Sequence, residues 1–209
     1  MGAKLRSYWF PVSLLAVLIV VIVYFMLNSV NGKSGLPVLK AAPDFTLQDL
    51  DGHPVQASDN AGKVVLMEFM FTSCPDICPV TTYKMSQLQE KFKQNGIFGS
   101  QVQFVTITFD PIRDTPEVLR EYADRMEIDL GSWQVLRGQE QMTHEIAARY
   151  DVTVLNMGEG QFVHNVTSLQ LIDAEQRIRK VYEMGDGMNN EEILADITAL
   201  LDEMEQAKR

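Results

Sequence analysis

The only two cysteines of this 209-residue chain stand close together, in Cys74-Pro75-Asp76-Ile77-Cys78-Pro79. The segment follows an apolar run and opens a helical pattern. That puts Cys78 at or near the N-cap and Pro79 at the first helical position. Backbone N–H groups and the helix dipole stabilise a thiolate there. Cys74 lies four residues back on the loop, so both sulfurs can face one point. They could form a disulfide or share one ion. A plainer reading is two buried cysteines or a stapling disulfide, but so short a loop removes little chain entropy when closed. Redox dithiols of the thioredoxin kind have two residues between the cysteines; here there are three. The change alters the angle between the sulfurs without forbidding disulfide exchange. Two thiolates are half of a usual tetrahedral zinc site. They suit Cu(I) better, and an added imidazole would also accommodate Cu(II).

The histidines are His53, His144 and His164. His53 sits in Asp51-Gly52-His53-Pro54 and reads as a solvated turn residue. His144 lies among polar neighbours in a short helical stretch. His164, in Gln161-Phe162-Val163-His164-Asn165, precedes a strand and is the candidate third ligand; its alternative is an ordinary surface or core histidine. Met67, Met70 and Met85 lie near the cysteine motif, and thioethers bind Cu(I). Methionine in strands and helices more often fills core space.

These residues need a scaffold. Val64 to Phe71 and Val102 to Phe109 read as buried strands of a parallel sheet. Ser168 to Ile172 and Arg177 to Tyr182 read as a closing hairpin around Asp173-Ala174-Glu175-Gln176. Pro43 to Ser58 reads as an earlier hairpin turning at Asp51-Gly52. Helical patterns cover Pro79 to Gln94, a segment capped by Thr115-Pro116-Glu117 and running to about Met126, Thr143 to Tyr150, and Asn190 to Ala207. The order predicts an α/β domain of thioredoxin-like arrangement: a central, mostly parallel sheet flanked by helices, with an N-terminal hairpin.

Charge and hydropathy add the setting. Residues 1–40 hold Lys4, Arg6, Lys33 and Lys40 and no acid, so of 18 basic and 28 acidic residues the rest carries 14 and 28, a net of −14. A body that acidic excludes ordinary nucleic-acid binding, which needs clustered Lys and Arg. Tyr8 to Leu27 is twenty residues without a charge, enough for one helical span of about 30 Å. It is longer than a usual signal-peptide core. The reading is an N-terminal membrane anchor over residues 1–30 with a single span about 8–27, a flexible tether over 31–40, and a folded domain over 41–209. The cationic end would stay inside and the domain would lie on the extracytoplasmic side of a cell membrane.

In these motifs the chain resembles the Sco/SenC family, membrane-tethered copper proteins that serve cytochrome c oxidase assembly. The resemblance rests on three segments. Phe71-Thr72-Ser73-Cys74-Pro75-Asp76-Ile77-Cys78-Pro79 is similar to the family's C-P-x-x-C-P signature. Thr108-Phe109-Asp110-Pro111-Ile112-Arg113-Asp114-Thr115-Pro116-Glu117 is similar to its D-P-x-R-D-T-P block, and Trp133 to Gly138 to its W-x-x-L-x-G segment. It implies that Cys74, Cys78 and His164 bind one copper ion, Cu(I) or Cu(II). Many members have an acid before the histidine and Ser or Thr after it; this chain reads Val163-His164-Asn165. Asp76 and Asp110 could shape the site electrostatically, and Asp110 reads equally as a turn or cap residue.

The expected function is copper binding and delivery, with the redox state of Cys74 and Cys78 gating metal loading. The implied partner is the copper-accepting subunit of cytochrome c oxidase. No small-molecule substrate is expected. The rival is an enzyme, a thiol–disulfide oxidoreductase using the same redox-active pair on cysteines of the oxidase copper site or another partner. A redox or copper sensor is a third reading. The first two separate at His164, which a carrier needs and a dithiol reductase tolerates losing.

Overall fold

The computed structural model describes residues 14–15, 17–23, 35–158, 162–165 and 167–208. The chain divides into two units, Met1–Gly35 and Leu36–Arg209. In the first, residues 14–15 and 17–23 are helical. Among the described residues no helix is long and apolar enough to cross a membrane. Much of the expected 8–27 span lies outside them.

The second unit is a mixed α/β domain with a six-stranded sheet. Its central strands are β4 (Val64–Met70) and β5 (Val102–Thr108), and all seven positions of each are buried. Strands covered on both faces lose the alternation of a half-exposed sheet, hence runs that are mainly apolar, broken by Glu68 in β4 and by Gln103, Thr106 and Thr108 in β5. With β1 (Lys40–Ala41), β6 (Trp133–Leu136), β9 (Thr167–Ile172) and β10 (Arg177–Glu183), the order is β1-β10-β9-β4-β5-β6. β2 (Thr46–Gln48) and β3 (Pro54–Gln56) form the predicted early hairpin. Gly52 in its turn has φ of 84°, a conformation that favours glycine.

One expectation is corrected. The sheet is mixed rather than mostly parallel. Only β4–β5 and β5–β6 pair parallel, while β9–β4, β10–β9 and β1–β10 are antiparallel. The closing hairpin docks in the middle of the sheet, against β4, and its outer strand recruits β1. A tight turn forces its two strands antiparallel, and here that hairpin supplies two of the six strands.

Four helices of this unit follow the order α1 (Ile77–Gln94), α2 (Pro116–Arg125), α3 (Glu140–Arg149) and α4 (Asn190–Ala207). Thr115 caps α2 as its sequence predicts, its hydroxyl accepting the Val118 N–H, with Pro116 first in the helix. Helices cover both faces of the sheet. Glu68 of β4 meets Thr82 of α1, which meets Tyr122 of α2. On the opposite face Phe69 packs its ring on Tyr150, at the end of α3.

Two features lie beyond the sequence patterns. β6 has four residues, too few to show a period. β7 (Val154–Asn156) and β8 (Phe162–His164) form a separate two-stranded hairpin where a loop is expected. Leu155 and Val163, paired across it, are more than half exposed, so no buried stripe announces these strands.

Candidate metal centre

Helix α1 begins two residues earlier than its proline suggests. Asp76 is the N-cap, which puts Cys78 at the second helical position and Pro79 at the third. Proline is tolerated there because the first N–H groups of a helix have no carbonyl to reach. The loop before it turns on a hydrogen bond from the Cys74 N–H to the Phe71 carbonyl, 3.2 Å. This brings Cys74 Sγ over the start of the helix, where it accepts the Cys78 N–H at 3.4 Å.

His164 arrives from the other side, at the end of β8. Its Nε2 lies 3.8 Å from Cys78 Sγ. The two sulfurs and an imidazole nitrogen all lie within 4.8 Å of one another. Metal–sulfur bonds are about 2.3 Å, so one ion could touch all three donors with little movement. Two sulfurs and one imidazole are a soft donor set. The site is walled by rings: Phe71 and Phe109 stand edge-on to the imidazole at 6.4 and 5.5 Å, and Phe162 packs on both.

The two thiols are unequal. Cys74 is half-buried and Cys78 fully buried. The hydrogen bond from Cys78 holds the Cys74 thiol far below its ordinary range, at about 4, against the cost of burial; the N–H groups of Asp76 and Cys78 act in the same direction. Cys78 moves the opposite way, pushed up by that hydrogen bond, by burial and by the charge on Cys74. The free pair is therefore one thiolate beside one thiol.

A buried carboxylate ties the cysteine loop down. Asp114 is fully buried and accepts the Thr72 N–H at 3.1 Å together with the hydroxyls of Thr72 and Thr108. Burial raises its pKa, and the three donors oppose that. Asp114 stands in a recognisable sequence block, but its task is not legible there, because its partners lie 42 residues back and on the neighbouring strand.

The remaining candidates stand apart from this cluster. His144 Nε2 is bonded to the Phe109 carbonyl at 2.7 Å, which makes it a fixture of the site's outer wall. His53 is an exposed turn residue bonded to Asp49. Met67, Met70 and Met85 are buried core residues. The Asp76 side chain is exposed. Asp110 is buried; one oxygen meets Arg113 at 3.2 Å, and the other has no partner among the described residues.

A dithiol and an imidazole converging at the first turn of the helix that follows a central strand define a soft-metal or redox-dithiol protein on a mixed α/β scaffold. Comparison with known proteins narrows that class. The SCO1/SenC family pattern matches residues 36–202. The chain is 30% identical to the SCO1 protein homolog of Bacillus subtilis over 156 residues, which is 73% of this chain and 79% of that protein. The chain belongs to the SCO1/SenC family.

Solved structures agree. BsSco, described as a member of the Sco family of cytochrome c oxidase assembly proteins with a disulfide switch, is similar at 27% identity and a TM-score of 0.68, over 78% of this chain and 94% of that one. ScoI of Arabidopsis thaliana, solved with copper bound, is similar at 26% identity and a TM-score of 0.66, over 78% and 99%.

Proposed function

We propose that this chain is a membrane-tethered copper carrier of thioredoxin-like fold. Its domain lies on the extracytoplasmic side, binds one copper ion on Cys74, Cys78 and His164 Nε2, and hands it to the copper-accepting subunit of cytochrome c oxidase. The observation that carries the reading is the convergence of two sulfurs and one imidazole nitrogen within 4.8 Å. Relatives with copper bound or tied to oxidase assembly support the cargo and the destination. The tether is supported by the uncharged run Tyr8 to Leu27 behind Lys4 and Arg6. Residues 1–30 are the anchor, 31–40 the tether and 41–209 the copper-binding domain.

Copper supplies a soft electrophile that thiolates hold and can pass to other thiolates. The chain supplies the rest. Cys74 is ready as a thiolate at neutral pH. Cys78 must give up its proton on binding, so loading releases protons. Joined as a disulfide, the pair offers no thiolate, and the site then has only His164 left. Redox state thereby gates loading.

One observation favours the second reading, a thiol–disulfide oxidoreductase. A low-pKa, partly exposed Cys74 beside a buried, protonated Cys78 is the arrangement of an attacking and a resolving thiol. The two readings part at His164. The reduced full chain, titrated anaerobically with Cu(I) and separately with Cu(II), is expected to hold one copper ion, with thiolate-to-Cu(II) absorption bands. His164→Ala should lose the Cu(II) bands. A parent that holds no copper, or a variant that binds Cu(II) as the parent does, overturns the proposed site and makes the oxidoreductase the leading reading.

A further inference from the structure

His164 can serve a metal only through a nitrogen whose lone pair is free, and an imidazole has two candidates. Its Nδ1 lies 3.0 Å from the backbone carbonyl oxygen of Asn165. A carbonyl only accepts, so Nδ1 carries the proton and Nε2 keeps its lone pair. Nε2 is the nitrogen that faces Cys78 Sγ, at 3.8 Å. The direction of the ligand is thus set by where one peptide carbonyl stands.

What fixes that carbonyl is the side chain of the same residue. β7 and β8 contribute three residues each and, among the described residues, pair only with each other. A two-stranded hairpin of that size is marginal by itself. At its base, Asn165 Oδ1 accepts the Thr153 N–H at 2.8 Å, and Nδ2 donates to the Asp151 carbonyl at 3.3 Å. Asp151 occupies the left-handed region at φ of 61°, where the chain leaves α3. The Asn165 side chain therefore straps the exit of the hairpin to its entry.

We infer that Asn165 is a positioning residue for the metal site: its side chain anchors the hairpin base, and its carbonyl presets His164 as an Nε2 donor toward the cysteine pair. This rests on the copper reading for its consequence but not for its geometry. Cu(I) is satisfied by two thiolates, whereas Cu(II) gains from the imidazole. Loosening Asn165 should therefore weaken Cu(II) binding and leave Cu(I) binding in place. Groups that orient a ligating histidine typically account for about 10–100-fold in metal affinity.

The test uses the full chain and Asn165→Ala, with Asn165→Asp as the conservative partner. Aspartate keeps the acceptor for Thr153 and puts a carboxylate oxygen where Nδ2 stood, so the bond to the Asp151 carbonyl is lost. Without metal, nitrogen NMR of the imidazole is expected to show a single Nδ1–H tautomer in the parent and a mixture in Asn165→Ala. With metal, Asn165→Ala should lose about tenfold or more in Cu(II) affinity and alter the Cu(II) spectrum, with Cu(I) affinity within about twofold. Asn165→Asp should fall between the parent and Asn165→Ala in both effects. A single tautomer in Asn165→Ala, or a Cu(II) affinity and spectrum like the parent's, overturns the inference. If Asn165→Ala does not fold, Asn165→Asp decides: it must show an intermediate tautomer mixture. A parent that binds no copper would instead overturn the carrier reading, and the metal-free tautomer measurement would still decide the role of Asn165.

Discussion

Cys74 owes its ionisation chiefly to Cys78. A helix start favours a thiolate, but the hydrogen bond from its partner cysteine is the largest influence on this sulfur, and burial works against it. Removing the partner should therefore undo much of the effect. Cys78→Ala is expected to move the Cys74 titration upward from about 4, read from thiolate absorbance near 240 nm across a pH series. A Cys78→Ala midpoint that stays near 4 would mean that the helix terminus alone suffices. The three candidate ligands were legible in the sequence because cysteine and histidine are rare here and their chemistry is narrow. Asn165 was not, since what it does depends on a carbonyl and two backbone partners that no spacing rule connects.

The cysteine loop is anchored by an element remote in sequence. The turn between β5 and α2 carries Asp114 back to Thr72, two residues ahead of Cys74, and then starts α2 with the Thr115 cap. Asp114→Ala would leave three donors without their acceptor: the buried Thr108 hydroxyl and the partly buried N–H and hydroxyl of Thr72. Each buried group so orphaned costs roughly 1–3 kcal/mol. Denaturant unfolding of Asp114→Ala should show a loss at least that large. Asp114→Asn, which keeps the shape and one acceptor oxygen, should lose less. An unchanged midpoint in Asp114→Ala would remove the anchor from the account. Long, strongly patterned elements were readable in advance: β4, β5, the closing hairpin, the capped α2 and the amphipathic α4. The four-residue β6 and the three-residue β7 and β8 were not, because strands that short show no period and their pairing is decided by contacts far along the chain. The sheet's antiparallel half has the same origin, since a hairpin read from sequence does not say which strand it will dock beside.

At the scale of the molecule, a buried carboxyl holds the layers together. Glu68 is completely buried in β4. Thr106 of β5 donates its hydroxyl to it at 2.8 Å, and Trp133 of β6 donates its indole N–H to Thr106 at 2.9 Å. Thr82 of α1 lies 3.2 Å from the carboxyl and 2.8 Å from the Tyr122 hydroxyl of α2. Burial raises the Glu68 pKa from 4.5 to about 7, against the pull of the two threonine hydroxyls. The sign of the consequence follows from proton binding. Between about 4.5 and about 7 the folded chain keeps a proton that the unfolded chain has released. Stability from this group therefore falls as pH rises through that window and levels off above it. Each unit of the window is worth on the order of 1.4 kcal/mol at most. Glu68→Gln removes the titration while keeping a hydrogen-bonding side chain of the same size. The parent's melting temperature, compared with that of Glu68→Gln at each pH, should drop from pH 5 to pH 8, with most of the drop before pH 7. A difference that stays flat across that range would place an ionised carboxylate in the core at every pH. The threonine hydroxyls would then be holding a charge between the layers rather than a neutral acid.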